Sequence, residues 1–210
     1  MKARKILVSL AALALVAAIS IGGTLAYLTS KADVTNTFTV GKVAITMDET
    51  AVNTDGTALA DVPRRTTNGY HLLPGKTYTK DPIIHVDTNS ESCYLFVTIK
   101  NEIADIEDAD SSVEKQMTAK GWAKVTGVTG VENLYVYIGT EVNASDPKVV
   151  AAGADVTVFD QIVIKGEGVT NESLKDYAGK TIVVNAYAIQ AEGFSGKTAA
   201  QIWAATGFTA

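Results

Sequence analysis

The sequence predicts an all-β protein: an antiparallel, jelly-roll-like β-sandwich with short peripheral helices, preceded by a signal-peptide helix. Three observations carry that expectation. Seven or eight short apolar segments show the period of two, or the two-sided burial, of strands. Clusters of Gly, Asn, Asp and Pro separate them, as turns between antiparallel strands require. A positively charged start followed by a long uncharged apolar run opens the 210-residue chain.

Lys2, Arg4 and Lys5 make the positive region, residues 6–21 the apolar run, and Gly22-Gly23-Thr24-Leu25-Ala26 the small-residue stretch that a signal peptidase accepts. Cleavage is expected after Ala26. The peptidase holds an extended backbone in a narrow site, so Ala26 at the cut and Thr24 two residues before it matter, with Leu25 between them and Tyr27 as the new N-terminus. Residues 6–28 are also long enough to cross a bilayer uncut. Under either reading the rest of the chain is exported, and membrane contact runs only through this segment.

Residues 33–40 alternate, with Val34, Phe38 and Val40 on one face and Thr35, Thr37 and Thr39 on the other. Gly41 interrupts the pattern and residues 42–47 resume it. Residues 48–72, with little periodicity, read as a long surface connection in which Arg64 and Arg65 are a solvated pair. Leu73-Pro74-Gly75-Lys76 is a turn, launching a strand over 77–87 in which Pro82 forces an edge or a bulge. Residues 93–100 are apolar on both faces and predict a central strand.

Ser111 or Ser112 is placed to cap a helix over 113–120 that Gly121 ends. Strands are expected at 122–125, 134–138, 156–165 and 180–190, a short helix at 172–177 and a last one at 198–206.

Composition narrows the function classes. Cys93 is the only cysteine, so packing alone must hold an exported fold together, and its apolar neighbours mark it as a buried thiol. Without residues 1–26 the chain keeps 15 basic against 23 acidic side chains, a net charge of −8 with His neutral, which argues against a nucleic-acid partner. Residues 191–198 match a relaxed phosphate-loop pattern, but with Ala191 first and only 12 residues after Thr198 they read as a Gly-rich turn into a helix that packs Ile202 and Trp203. His71 and His85 are the only imidazoles and show no zinc-ligand spacing, and the acidic residues between Glu102 and Glu114 lack EF-hand spacing. No cofactor, metal or catalytic residue is expected.

Four stretches carry a resemblance. Gly22-Gly23-Thr24-Leu25-Ala26-Tyr27-Leu28-Thr29-Ser30, with Asn36-Thr37-Phe38-Thr39-Val40-Gly41-Lys42-Val43 after it, resembles the exported TasA and camelysin family of Gram-positive bacteria, substrates of the SipW-type signal peptidase. Leu73-Pro74-Gly75-Lys76 and Val184-Asn185-Ala186-Tyr187-Ala188-Ile189-Gln190-Ala191 are similar to its middle turn and last strand, while Ser30 stands where an Asp is common.

The resemblance implies a jelly-roll domain at the cell surface or in the biofilm matrix, self-associating into fibres by donor-strand addition. Residues 27–40 are then the donor, with Val34, Asn36, Phe38 and Val40 as its candidate inserting residues; the other reading is a first strand folded within its own subunit. Two further functions stand beside the fibre subunit. One is a membrane-anchored binding module presenting residues 48–72. The other is a camelysin-type peptidase, which would depend on His71 or His85.

Overall fold

The computed structural model describes residues 41–141 and 146–208. The expected signal segment, the strand over 33–40, and with them Thr24, Leu25, Ala26, Tyr27, Val34, Asn36, Phe38 and Val40, lie outside the described residues. Within them the chain is mostly β, and all of its strand pairs are antiparallel.

The strands are β1 (Ile45–Asp48), β2 (Thr77–Thr79), β3 (Ile83–Val86), β4 (Cys93–Asn101), β5 (Trp122–Lys124), β6 (Leu134–Tyr137), β7 (Val149–Val150), β8 (Asp155–Thr157), β9 (Gln161–Val163) and β10 (Ile182–Gln190). Helix α1 spans Val113–Ala119 and α2 spans Ala199–Ala204, with 3-10 turns at Ala104–Ile106 and Ser173–Tyr177. One sheet runs β1-β3-β8, a second β10-β4-β6-β5 with β7 also on β4, and β2 pairs with β9.

β4 is central, as its two-sided hydrophobicity predicts. Its residues Cys93, Leu95, Val97 and Ile99 face Ile84, Val86 and Val156 of the other sheet, joined by Val113 and Met117 of α1 and by Trp122. Tyr94 and Phe96 on the opposite face meet Leu134, Val136, Ile189 and the α2 residues Ile202 and Trp203. A third cluster, including Tyr78, Ile103, Ile106, Ile162, Ile164 and Leu174, is built around β2 and β9. Both faces of the larger sheet are thus covered at β4, one by a sheet and one by a helix.

The expected strands over 77–87 and 156–165 are each split in two. Their pairing nevertheless keeps one register from Thr77↔Val163 through Thr79↔Gln161 and Ile83↔Thr157 to His85↔Asp155. The ladder breaks at Pro82, which has no N–H to give but still accepts from the Val158 N–H at 2.8 Å. Pro82 therefore interrupts a ladder without a bulge, and β3 beyond it is the middle strand of its sheet rather than an edge. The two-residue β7 escaped the sequence reading because nothing in it shows a period.

α1 has the expected ends. Ser112 accepts from the Lys115 N–H, and Gly121 after the helix takes φ +88°, where a Cβ would collide with the Gly139 backbone. The segment after β10 is a turn, with Gly193 and Gly196 at positive φ, and Thr198 closes a capping box with Gln201. The Thr198 hydroxyl serves the helix, as the turn reading of that stretch requires.

Candidate functional site

β10 is the outermost strand of the larger sheet, paired only with β4 among the described residues. Thr181 accepts from the Glu102 N–H and the Ala191 N–H donates to Ser92, so the odd-numbered residues of β10 bond to β4. The N–H and C=O groups of Ile182, Val184, Ala186, Ala188 and Gln190 consequently point away from the sheet. No proline or charged residue interrupts this nine-residue edge. Natural edges of that length are ordinarily blunted by charge, proline or a covering loop, because a bare one templates another strand.

The side chains beneath this edge are half-buried and apolar: Ile182, Val184, Ala186 and Ala188 face the same core as Val43, Ile45 and Met47. β1 is an outer strand of the opposing sheet among the described residues. Its Ala44 carbonyl accepts from the Asp87 N–H, so Ile45 and Met47 also turn their backbone groups outward. Beyond them the Glu49 and Arg65 backbones exchange two hydrogen bonds of 2.7 Å, and the edge of β1 is closed there. Among the described residues, no strand pairs with the outer edge of β10 or of β1 along this side, and one end of it is closed. A cavity of about 1020 Å³ lies at that closed end, lined by Met47, Pro82, Ile103, Leu174, Ile182 and Val184 among others.

The segment that closes the groove is a long surface connection that is anchored at Arg64, which corrects the reading of Arg64 as solvated. Arg64 pairs with Asp48 through Nε and with Asp81 through Nη1 at 3.0 Å, and its Nη2 donates to the Asp48 and Asp81 carbonyls at 3.1 and 2.8 Å. Arg65 is exposed. Further along, Tyr78 hydroxyl donates to the His71 carbonyl and accepts from the Leu73 N–H, at 2.7 and 2.6 Å. Gly56 packs against Tyr78, where a Cβ would come within 2.6 Å of Cδ1 and 2.8 Å of the Cα.

Electrostatics reinforce the clamp. Burial acts to raise the Asp48 and Asp81 carboxyls, but hydrogen bonds from Arg64 and His85 to Asp48, and from Thr50 and Arg64 to Asp81, outweigh it and hold both below the ordinary value. His85 is gripped by Asp155 on Nδ1 at 2.7 Å and by Asp48 on Nε2 at 3.1 Å. Burial opposes its charge, yet the two carboxylates win and raise its pKa. His71 is exposed on the groove rim.

Cys93 is fully buried and burial alone pushes its thiol up to about 11, so it is inert packing. One member of the acidic run departs from the solvated reading: Glu107 is 6% exposed and accepts from Asn101 Nδ2 and the Val113 N–H at 2.9 and 3.2 Å, at the start of α1. Among the described residues no three His, Cys, Asp or Glu side chains group as a metal site. No helix of the described residues is long and apolar enough to cross a membrane.

No family model, no curated protein and no solved structure matches this chain. The groove was missed in the sequence because it is made by two edges 134 residues apart, Asp48 and Ile182. The alternation over residues 180–190 marked a strand but carried no sign of what lay on either side of it.

Proposed function

We propose that the chain is an exported structural subunit of surface or biofilm-matrix fibres, with a jelly-roll-like sandwich completed by a strand from a neighbouring copy. The observation that carries this reading is the outer edge of β10, which no strand among the described residues pairs with, above a half-buried apolar floor. An extended segment laid there gains main-chain hydrogen bonds along β10 and covers Ile182, Val184, Ala186 and Ala188 together with Ile45 and Met47.

Residues 27–40 suit that role, with Val34, Phe38 and Val40 at alternate positions to face the floor, alongside Asn36, and threonines to face outward. In this reading the SipW-type signal peptidase cuts after Ala26 and frees Tyr27 to leave its own subunit. The resemblance of residues 22–43 to the TasA and camelysin family supports both steps. No catalysis is proposed.

The test is electron microscopy of purified protein starting at Tyr27 beside protein starting at Gly41. Fibres from the first and none from the second are expected. A longer form that stays monomeric at high concentration overturns the proposal.

A further inference from the structure

Three side chains at the closed end of the groove form a chemical unit that strand addition does not use. Glu49 is 4% exposed, and its two carboxylate oxygens are divided between two nitrogens. Oε2 accepts from Lys80 Nζ at 2.6 Å, and Oε1 from Asn68 Nδ2 at 3.1 Å. The Lys80 side chain is itself 12% exposed. Asn68 also donates to the Thr50 carbonyl at 2.8 Å and accepts at Oδ1 from the Val52 N–H at 3.1 Å. Those two backbone partners fix which atom of the amide is oxygen, because an N–H requires an acceptor and a C=O a donor.

A largely buried amine and a half-buried carboxamide held on one buried carboxylate are the reactants of a transamidation. The geometry points to a covalent isopeptide bond between Lys80 Nζ and Asn68 Cγ, formed autocatalytically with Glu49 as the proton shuttle. Proton transfer inside the Lys80–Glu49 hydrogen bond leaves a neutral amine and a neutral acid. The amine lone pair attacks Cγ, and the charge that develops on Oδ1 is met by the Val52 N–H already aimed at it.

Glu49 then takes a proton from the attacking nitrogen and gives one to Nδ2. The Cγ–Nδ2 bond breaks as the Nζ–Cγ bond is kept, and ammonia leaves with the last mobile proton as ammonium. Lys80 and Asn68 end as one secondary amide and Glu49 ends ionised again, so atoms and charge balance with no oxidant or added reagent. Holding both groups on one carboxylate replaces an encounter by a fixed arrangement, which is how a side-chain amide becomes reactive enough.

The bond would tie the segment closing the groove to the stretch between β2 and β3. It requires no fibre, and its test is independent of one. The whole chain is digested with trypsin and the peptides are sequenced by mass spectrometry. Acylated Lys80 resists trypsin, so the expected product is peptide 66–76 joined to peptide 77–100, lighter than the two together by one ammonia. Recovery of peptides 66–76 and 77–80 separately at full mass overturns the proposal.

Loss of ammonia confined to peptide 66–76 overturns it too, because that marks ring closure of Asn68 onto the Gly69 nitrogen. Glu49→Ala leaves both reactants in place and is expected to abolish the joined peptide; its persistence refutes the role of Glu49. Lys80→Arg, which keeps a cation beside Glu49, provides a second variant with the same expected loss should Glu49→Ala not fold.

Discussion

Ala186→Pro separates the outer edge of β10 from the inner one. The Ala186 N–H is one of the groups that point away from β4, so a proline there leaves the β10–β4 ladder its bonds while removing a donor at the middle of the free edge. Proline is tolerated on an edge strand when its missing N–H faces outward. An added strand would lose that hydrogen bond and, because the ring stands where its backbone must approach, part of the contact on either side.

At about 0.5–1.5 kcal/mol net for each ladder bond, losing one or two weakens each subunit junction by roughly 0.5–3 kcal/mol. That corresponds to about a 2- to 150-fold higher concentration for fibre onset. Onset is read by sedimentation and electron microscopy over a concentration series, and thermal melting of the monomer checks that the sandwich is intact. A variant that melts normally and assembles at the wild-type concentration refutes β10 as the accepting edge. The alternative is then the outer edge of β1 at Ile45 and Met47.

Arg64→Ala leaves two carboxylates and two carbonyls without their shared donor; since Arg64 is about a third exposed, the expected loss is roughly 1–3 kcal/mol in urea unfolding, and an unchanged midpoint would show that the clamp contributes nothing. His85→Gln tests the pH dependence. The folded pKa of His85 is raised, so its contribution is complete below the ordinary value of 6.5 and lost as pH rises through the folded value; the variant should be less stable than wild type in mild acid and converge on it in alkali. Asp48 and Asp81 act in the opposite sense, stabilising above the ordinary 3.8 and ceasing to as pH falls through their lowered folded values, so acid unfolding should set in there and be blunted in Arg64→Ala. Met117→Ala, a fully buried side chain between the sheets and α1, should cost about 2–5 kcal/mol by chemical denaturation.

The parts legible in the sequence are those whose physics is local. The period-free apolar run at residues 93–100 could only be buried on both faces, and β4 is. Ser112 and Gly121 bracket α1 because an orphan N–H at one end and a positive φ at the other select those residue types. Pro82 announced a defect, but whether that defect is an edge, a bulge or a gap depends on the partner strand, and a sequence does not name partners. Arg64 was misread for the same reason: a neighbouring Arg65 and a polar loop suggest solvent, while the two carboxylates that hold it come from residues 48 and 81. The Glu49–Lys80–Asn68 unit was equally hidden, since each member reads as a solvent-facing polar side chain until the strands bring them together.

The clamp and the proposed cross-link act on the same few residues, and their position relative to the groove gives that coincidence a mechanical sense. Force carried along a strand laid on β10 is borne across its hydrogen bonds into the larger sheet, and the groove keeps its shape only if its closed end stays shut. That end is closed by residues 64–69, whose backbone pairs with the residue just past β1 in the bridge Glu49↔Arg65. One bridge is worth about 1–3 kcal/mol. Arg64 adds ionic bonds that weaken with salt and acid. An amide from Lys80 to Asn68 depends on neither, and by closing a loop of 12 residues it would add roughly 3 kcal/mol by chain entropy alone. Glu49→Ala and Arg64→Ala should therefore differ under salt. Arg64→Ala loses its deficit relative to wild type as ionic strength rises, because the interaction it removes is screened in wild type as well. Glu49→Ala keeps its deficit at every salt concentration, and a Glu49→Ala deficit that fades with salt would mean that the buried unit acts only as an ion pair.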